Sequence, residues 1–255
     1  MRRTLLRSVA GLAVAATALS GCGGGHVAPP SPSLGTAVDV PVPSAISHLP
    51  LTTSTGATTD LAAFHGKAVM IADFLSLCTD ICPMISANTA ALGRALAADG
   101  QGNTVALLEI SVDPQRDTPA RLRAYRKLYG PALPDWTLLR ATPADTAKLW
   151  KFFDVAYKRI KEPRPPAIDW LTHKPLTYDV EHTSALIFLD AAGRERFVVE
   201  AAPDARNTTT PAKLVRFLGA DGHEALRHPD PVDSWTVAQG LSVFSWLIDR
   251  HLTSP

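Results

Sequence analysis

The stretch Phe74-Leu75-Ser76-Leu77-Cys78-Thr79-Asp80-Ile81-Cys82-Pro83 places two thiols, three residues between them, after an apolar run and before a proline. The run Ala68-Val69-Met70-Ile71-Ala72-Asp73-Phe74-Leu75 has the length and composition of a buried strand. Pro83 fits the first turn of a helix, where its missing N–H costs nothing. Cys82 then falls at the helix N-terminus, where free backbone N–H groups and the macrodipole favour a thiolate. A chain that must put paired thiols at a strand–helix junction has few architectures open to it.

The remaining sequence alternates in the same way. A hairpin is predicted over Leu51 to Thr59, a helical turn over 60–64, and a helix from Pro83 to about Ala98 that ends at Asp99-Gly100. Val105 to Val112 reads as a second apolar strand. Thr118-Pro119 supplies the cap and first residue of a helix reaching Tyr129, with Leu122, Tyr125 and Leu128 as its inward stripe. A strand at Trp136 to Leu139, a helix at 143–153 capped by Thr142, and a short edge strand at Val155-Ala156-Tyr157 follow. Lys158 to Thr177 carries four prolines and reads as a long exposed loop. Ser184 to Leu189 and Glu195 to Ala201 form a predicted hairpin. Helices near 211–218 and 236–249 close the chain, the second packing Trp235, Phe244 and Trp246 against the domain. This pattern predicts an α/β fold, a central mixed sheet covered by helices on both faces. Strand, paired cysteines, helix is the thioredoxin-type placement of a redox or metal site, at the carboxyl end of a strand. The usual redox spacing has two intervening residues rather than three.

Of the 255 residues, 46% are hydrophobic and 19% charged, so a sizeable core is expected and global disorder is not. The net charge is +1, with no basic stripe interleaved with aromatics, which argues against nucleic acid as a partner. Arg2, Arg3 and Arg7 precede an apolar run from Val9 to Leu19 too short to span a bilayer comfortably. That run closes with Leu19-Ser20-Gly21-Cys22, which resembles the bacterial lipobox. The resemblance implies a signal peptide over 1–21, lipid on Cys22, and export to the outer face of a bacterial cell membrane. Gly23 to about Pro50 is rich in Gly, Pro and Ser, so 22–50 is predicted to be a flexible tether and 51–252 the folded domain. With Cys22 assigned to lipid, Cys78 and Cys82 are the two remaining of three cysteines, in an oxidising compartment where they can close into a disulfide.

That pair has three chemical readings: a structural disulfide, a catalytic dithiol, or a soft-metal site. Two thiolates from one loop select Cu(I) or zinc over harder cations. Structural zinc normally takes four protein ligands and no further cysteine exists, whereas Cu(I) accepts two or three, which favours copper if a third ligand is present. His182 in Tyr178-Asp179-Val180-Glu181-His182-Thr183-Ser184 is a candidate, at the mouth of a predicted strand; His173 in the proline-rich loop is its rival. Spacing does not choose between them.

Four blocks resemble the Sco (SenC-type) family: Cys78-Thr79-Asp80-Ile81-Cys82-Pro83, Ser111-Val112-Asp113-Pro114-Gln115-Arg116-Asp117-Thr118-Pro119, Trp136-Thr137-Leu138-Leu139 and Asp179-Val180-Glu181-His182-Thr183-Ser184. They run in family order between about Leu51 and Val199. The resemblance implies a thioredoxin fold and copper bound by Cys78, Cys82 and His182, in place of His173. It also implies a role in cytochrome c oxidase assembly, with a copper-accepting protein, such as an oxidase subunit, as partner. The alternative on the same fold is a thiol–disulfide oxidoreductase using Cys78 and Cys82 as its redox pair, with His182 tuning the thiolate. Asp113 to Pro119 is expected to be structural, a strand stop followed by a capped helix. Three features depart from the family pattern. Thr79 stands where proline is common. Asp73 lies inside the strand and needs a partner or a bulge. The segment Gly219 to Asp233 resembles an insertion before the last helix.

Overall fold

The computed structural model describes residues 26–131, 133, 135–230 and 234–253. The expected signal peptide, the lipobox and Cys22 lie outside the described residues. In chain order the elements begin with β1 (Thr36–Pro41), α1 (Ser44–Ser47), β2 (Leu51–Thr53), β3 (Thr58–Thr59) and β4 (Ala68–Phe74). Then come α2 (Cys82–Ala98), β5 (Val105–Ser111), α3 (Pro119–Lys127), β6 (Trp136–Arg140), α4 (Pro143–Phe152) and β7 (Tyr157–Lys161). The rest are β8 (Tyr178–His182), β9 (Leu186–Leu189), β10 (Arg194–Val199), β11 (Ala202–Pro203), α5 (Ala212–Val215), α6 (Ala220–Arg227), β12 (Ser234–Trp235) and α7 (Val237–Leu247).

Eight strands form one sheet in the order β1-β10-β9-β4-β5-β6-β2-β3. β4, β5 and β6 run parallel at its centre, with antiparallel β9 and β2 on either side, so the sheet is mixed. Every residue of β4 and β5 is buried, which requires cover on both faces and explains why these strands read as continuous apolar runs. Pro119 and Pro143 occupy first helical turns, and Thr118 and Thr142 accept backbone N–H bonds from Arg121 and Asp145, as their sequence signatures predict. In α7 Thr236 and Gln239 close a reciprocal capping box. Trp235 and Phe244 are buried, so the start and middle of α7 pack on the domain. No helix among the described residues is long and apolar enough to cross a membrane.

Four expectations need correction. Residues 36–50 are not an unpacked tether. β1 pairs antiparallel with β10 at the sheet edge, and Asp39 accepts from Arg194 Nε at 2.7 Å. Most of β1 is exposed, so backbone pairing rather than side-chain burial holds it, and composition gave no sign of it. The folded unit therefore begins well before residue 51.

The edge strand predicted at 155–157 is instead β7, which continues to Lys161 and pairs with β8 in a separate two-stranded sheet. The loop that remains is anchored rather than free. Asp169 takes a bidentate bond from Arg121 at 2.9 and 2.6 Å, and buried Trp170 donates its Nε1–H to the Ser76 carbonyl at 2.7 Å. Of the helix predicted near 211–218, only the turn Ala212–Val215 is helical. The segment from Gly219 onward, which resembles an insertion in sequence, contains α6.

Candidate metal centre

β4 delivers the chain to the site and α2 leads it away. Leu75, Ser76 and Leu77, just past β4, are buried; Cys78 is half-buried, and Cys82 opens α2 fully buried. Ser76 is pinned by Asp117, whose carboxylate accepts from the Ser76 backbone N–H and hydroxyl and from Ser111 Oγ at 2.6 Å. Burial pushes Asp117 up to about 6 against those bonds. The approach to the thiols is thus fixed by a residue of the second sequence block.

α2 has Pro83 in its first turn and no side-chain oxygen cap. Its free N–H groups find sulfur instead. Cys78 Sγ accepts from Asp80 N at 3.4 Å and from Cys82 N at 3.5 Å, taking a capping role that favours the thiolate. The Cys78 thiol falls to about 5, chiefly through its hydrogen bond with Cys82, with His182 adding to the effect against burial. Cys82 moves the opposite way, well above the ordinary thiol value, because it is buried and faces Cys78. One proton therefore stays on the pair, on Cys82.

His182 ends β8, and the second block positions that strand. Arg116 pairs with Asp113, donates to the Tyr178 carbonyl at 2.7 Å and lies 3.8 Å over the Tyr178 ring; Tyr178 OH donates to Asp113 Oδ1 at 3.0 Å. The imidazole Nε2 sits 3.5 Å from Cys82 Sγ. Its Nδ1 faces Asp73 Oδ2, while Asp73 Oδ1 accepts from Ala185 N at 2.8 Å. A protonated Nδ1 meets that carboxylate and the Thr183 carbonyl at 2.9 Å, so the ring, once it has given up its second proton, presents an Nε2 lone pair to the sulfurs. Burial opposes charge on this ring, but the bonds to Asp73 and Cys78 prevail and hold its pKa at about 10. The side chains of His182 and Asp73 are 7% and 1% exposed, so the pair is screened from bulk water. His182, with the Ala185 N–H, is the partner that the strand's buried carboxylate required.

The ligand atoms of Cys78, Cys82 and His182 all lie within 4.8 Å of one another. Two sulfurs and one imidazole nitrogen suit a soft ion with few ligands. His173 is not in this group. It is exposed on the loop, with its ring 5.7 Å from that of Phe217. Sequence reasoning missed three supports: the grip of Asp117 on Ser76, the bond from Trp170, and a bond from Gly219 N to the Thr79 carbonyl at 2.7 Å. Each joins residues distant in sequence, and neither the Trp170 nor the Gly219 bond has a local signal.

Fold and site together define a thioredoxin-like α/β protein with a partly buried Cys-Cys-His group able to bind a metal. The SCO1/SenC family model matches residues 43–218. The chain belongs to the SCO1/SenC family. Among solved structures it is similar to Bradyrhizobium japonicum ScoI with copper bound, at 28% identity over 67% of this chain and 97% of that one, TM-score 0.49. It is also similar to a SCO1/SenC family lipoprotein from Bacillus anthracis str. Ames, at 19% identity over 72% of this chain and 95% of that one, TM-score 0.49. A third is BsSco, described with a disulfide switch as a member of the Sco family of cytochrome c oxidase assembly proteins. It is 19% identical over 67% of this chain and 90% of that one, TM-score 0.49. A search of curated proteins finds no match.

Proposed function

We propose that this protein carries copper for cytochrome c oxidase assembly, holding the ion with Cys78, Cys82 and His182 and passing it on by ligand exchange. The observation that carries this reading is the convergence of three soft donors within 4.8 Å, with the imidazole oriented by Asp73. Membership of the SCO1/SenC family supports it. Copper is the cargo, and the residues divide the work. Cys78 enters as thiolate, and Cys82 and the protonated His182 ring each give up a proton on binding, which leaves a neutral Nε2 as the third ligand. An acceptor with competing thiolates or imidazoles takes the ion one ligand at a time. Oxidation ends binding: thiolate and thiol pass two electrons and the Cys82 proton to a disulfide-bearing acceptor, which takes its second proton from water, an S–S bond forms, and both sulfur ligands are lost.

The opposed shifts of Cys78 and Cys82 favour a second reading, a thiol–disulfide oxidoreductase with Cys78 as nucleophile and Cys82 as resolving thiol. One set of variants separates the two. A Cu(I) carrier loses about 10–100-fold in affinity in His182→Ala and almost nothing in His173→Ala. A reductase retains little copper, yet turns over a protein disulfide at a rate that depends on both cysteines. If His182→Ala binds Cu(I) as tightly as wild type, the three-ligand site is wrong.

The N-terminal sequence extends this proposal to location. Arg2, Arg3 and Arg7, the apolar run and Leu19-Ser20-Gly21-Cys22 support export with lipid on Cys22, anchoring the protein to the outer face of a bacterial membrane. Cell fractionation checks this: Cys22→Ser is expected to leave the membrane fraction. A wild-type protein already free of the membrane removes the anchor from the account.

A further inference from the structure

α6 lies directly on the loop between the two cysteines, although it begins after Leu218, where the family match ends. Gly219, the first residue past that match, donates its N–H to the Thr79 carbonyl at 2.7 Å. Three residues on, Gly222 is buried inside α6, and its backbone runs against the same loop. A Cβ built on Gly222 falls 2.5 Å from the Thr79 carbonyl oxygen, 3.0 Å from Asp80 Cα and 3.1 Å from the Asp80 carbonyl oxygen. Those neighbours are backbone atoms, which cannot swing aside as a flexible side chain can. Glycine is a poor interior helix residue, so packing is the physical reason to have it here.

The clamped segment governs the sulfur environment. The Asp80 N–H that faces Cys78 Sγ belongs to the peptide whose carbonyl is Thr79 O. Holding that carbonyl from one side therefore aims the N–H at the sulfur on the other. We propose that α6 is a clamp on the Cys78–Cys82 loop and that Gly222 is a positioning residue for the site, setting the backbone geometry that stabilises the Cys78 thiolate. The copper arm of this inference rests on the carrier reading above; its redox arm does not.

The test uses the purified protein as wild type, Gly222→Ala, Glu224→Pro and Glu224→Ala. Glu224 is exposed on α6, so proline there breaks the helix without touching the cysteine loop, and alanine is the control. Two quantities are measured: Cu(I) affinity against a chromophoric chelator, and the Cys78/Cys82 midpoint against glutathione. Gly222→Ala is expected to weaken Cu(I) binding about tenfold, the lower end of effects from residues supporting a metal ligand. It is expected to favour the disulfide about tenfold, a midpoint about 30 mV more negative. Glu224→Pro should reproduce both changes and Glu224→Ala neither. A merely structural α6 would lower the urea midpoint and leave both readouts where they were. If Gly222→Ala does not fold, Glu224→Pro decides. If wild type binds no Cu(I), the carrier reading fails and the glutathione midpoint alone judges the clamp. Wild-type affinity and midpoint in both Gly222→Ala and Glu224→Pro would overturn it.

Discussion

Asp73 shows how one side chain gives a histidine its chemical role. A carboxylate inside a fully buried strand costs free energy unless it is satisfied, and here Ala185 N–H and His182 Nδ1 satisfy it. The cost is offset by a fixed ring with the correct nitrogen outward. Asp73→Asn keeps the shape and can still accept from Ala185 N–H, but it turns an NH2 toward Nδ1. The Nδ1–H is then left with only the Thr183 carbonyl, at 2.9 Å, as acceptor, and the facing NH2 favours the other tautomer, with the proton on Nε2 where the ion would bind. Cu(I) affinity should fall about 10–100-fold, close to the loss in His182→Ala, with little change in folding stability. Competition titration of the two variants side by side checks this; an unaltered affinity in Asp73→Asn would mean the tautomer is set elsewhere. The demand for a partner was legible in the strand itself. Which partner was not, because 109 residues separate Asp73 from His182.

Elements matter here through their ends and their buried faces. α2 leaves its N-terminal N–H groups to Cys78, and α3 and β5 build a polar pocket behind it. Ser86 Oγ donates to Glu109 Oε2 at 2.7 Å, and Tyr129 OH donates to the Pro83 carbonyl at 3.0 Å, tying the turn after α3 to the first turn of α2. Burial pushes the Glu109 carboxyl from its ordinary 4.5 to about 7, against the bond from Ser86. Below pH 4.5 both folded and unfolded chains hold this proton. Above it the unfolded chain releases the proton first, so stability declines as pH rises to about 7 and then levels. The span corresponds to on the order of 3 kcal/mol at most. Glu109→Gln abolishes the titration and is expected to be the more stable protein above pH 7, with the difference vanishing near pH 4. Urea unfolding of both across that range measures it, and a constant difference would show that folding leaves the Glu109 pKa unshifted.

At the scale of the whole molecule, the mixed sheet carries the loop near residue 80, and the separate β7–β8 sheet brings the strand end at residue 182 to it. The central strands and capped helices were legible because burial on both faces leaves continuous apolar runs, and Thr118-Pro119 and Thr142-Pro143 mark helix starts locally. The cysteine pair was legible from its position before Pro83, whereas the choice of His182 over His173 came from family resemblance and agrees with the geometry. β1, β7 and α6 were hidden. β1 is held by backbone pairing, β7 is exposed and basic, and α6 follows a family-matched region with no marked cap. Copper binding by the assembled site is the central claim, and an anaerobic Cu(I) titration of wild type against the Cys78→Ser/Cys82→Ser double variant tests it most directly. The account predicts one equivalent bound tightly by wild type and almost none by the variant; equal uptake by the two would contradict it.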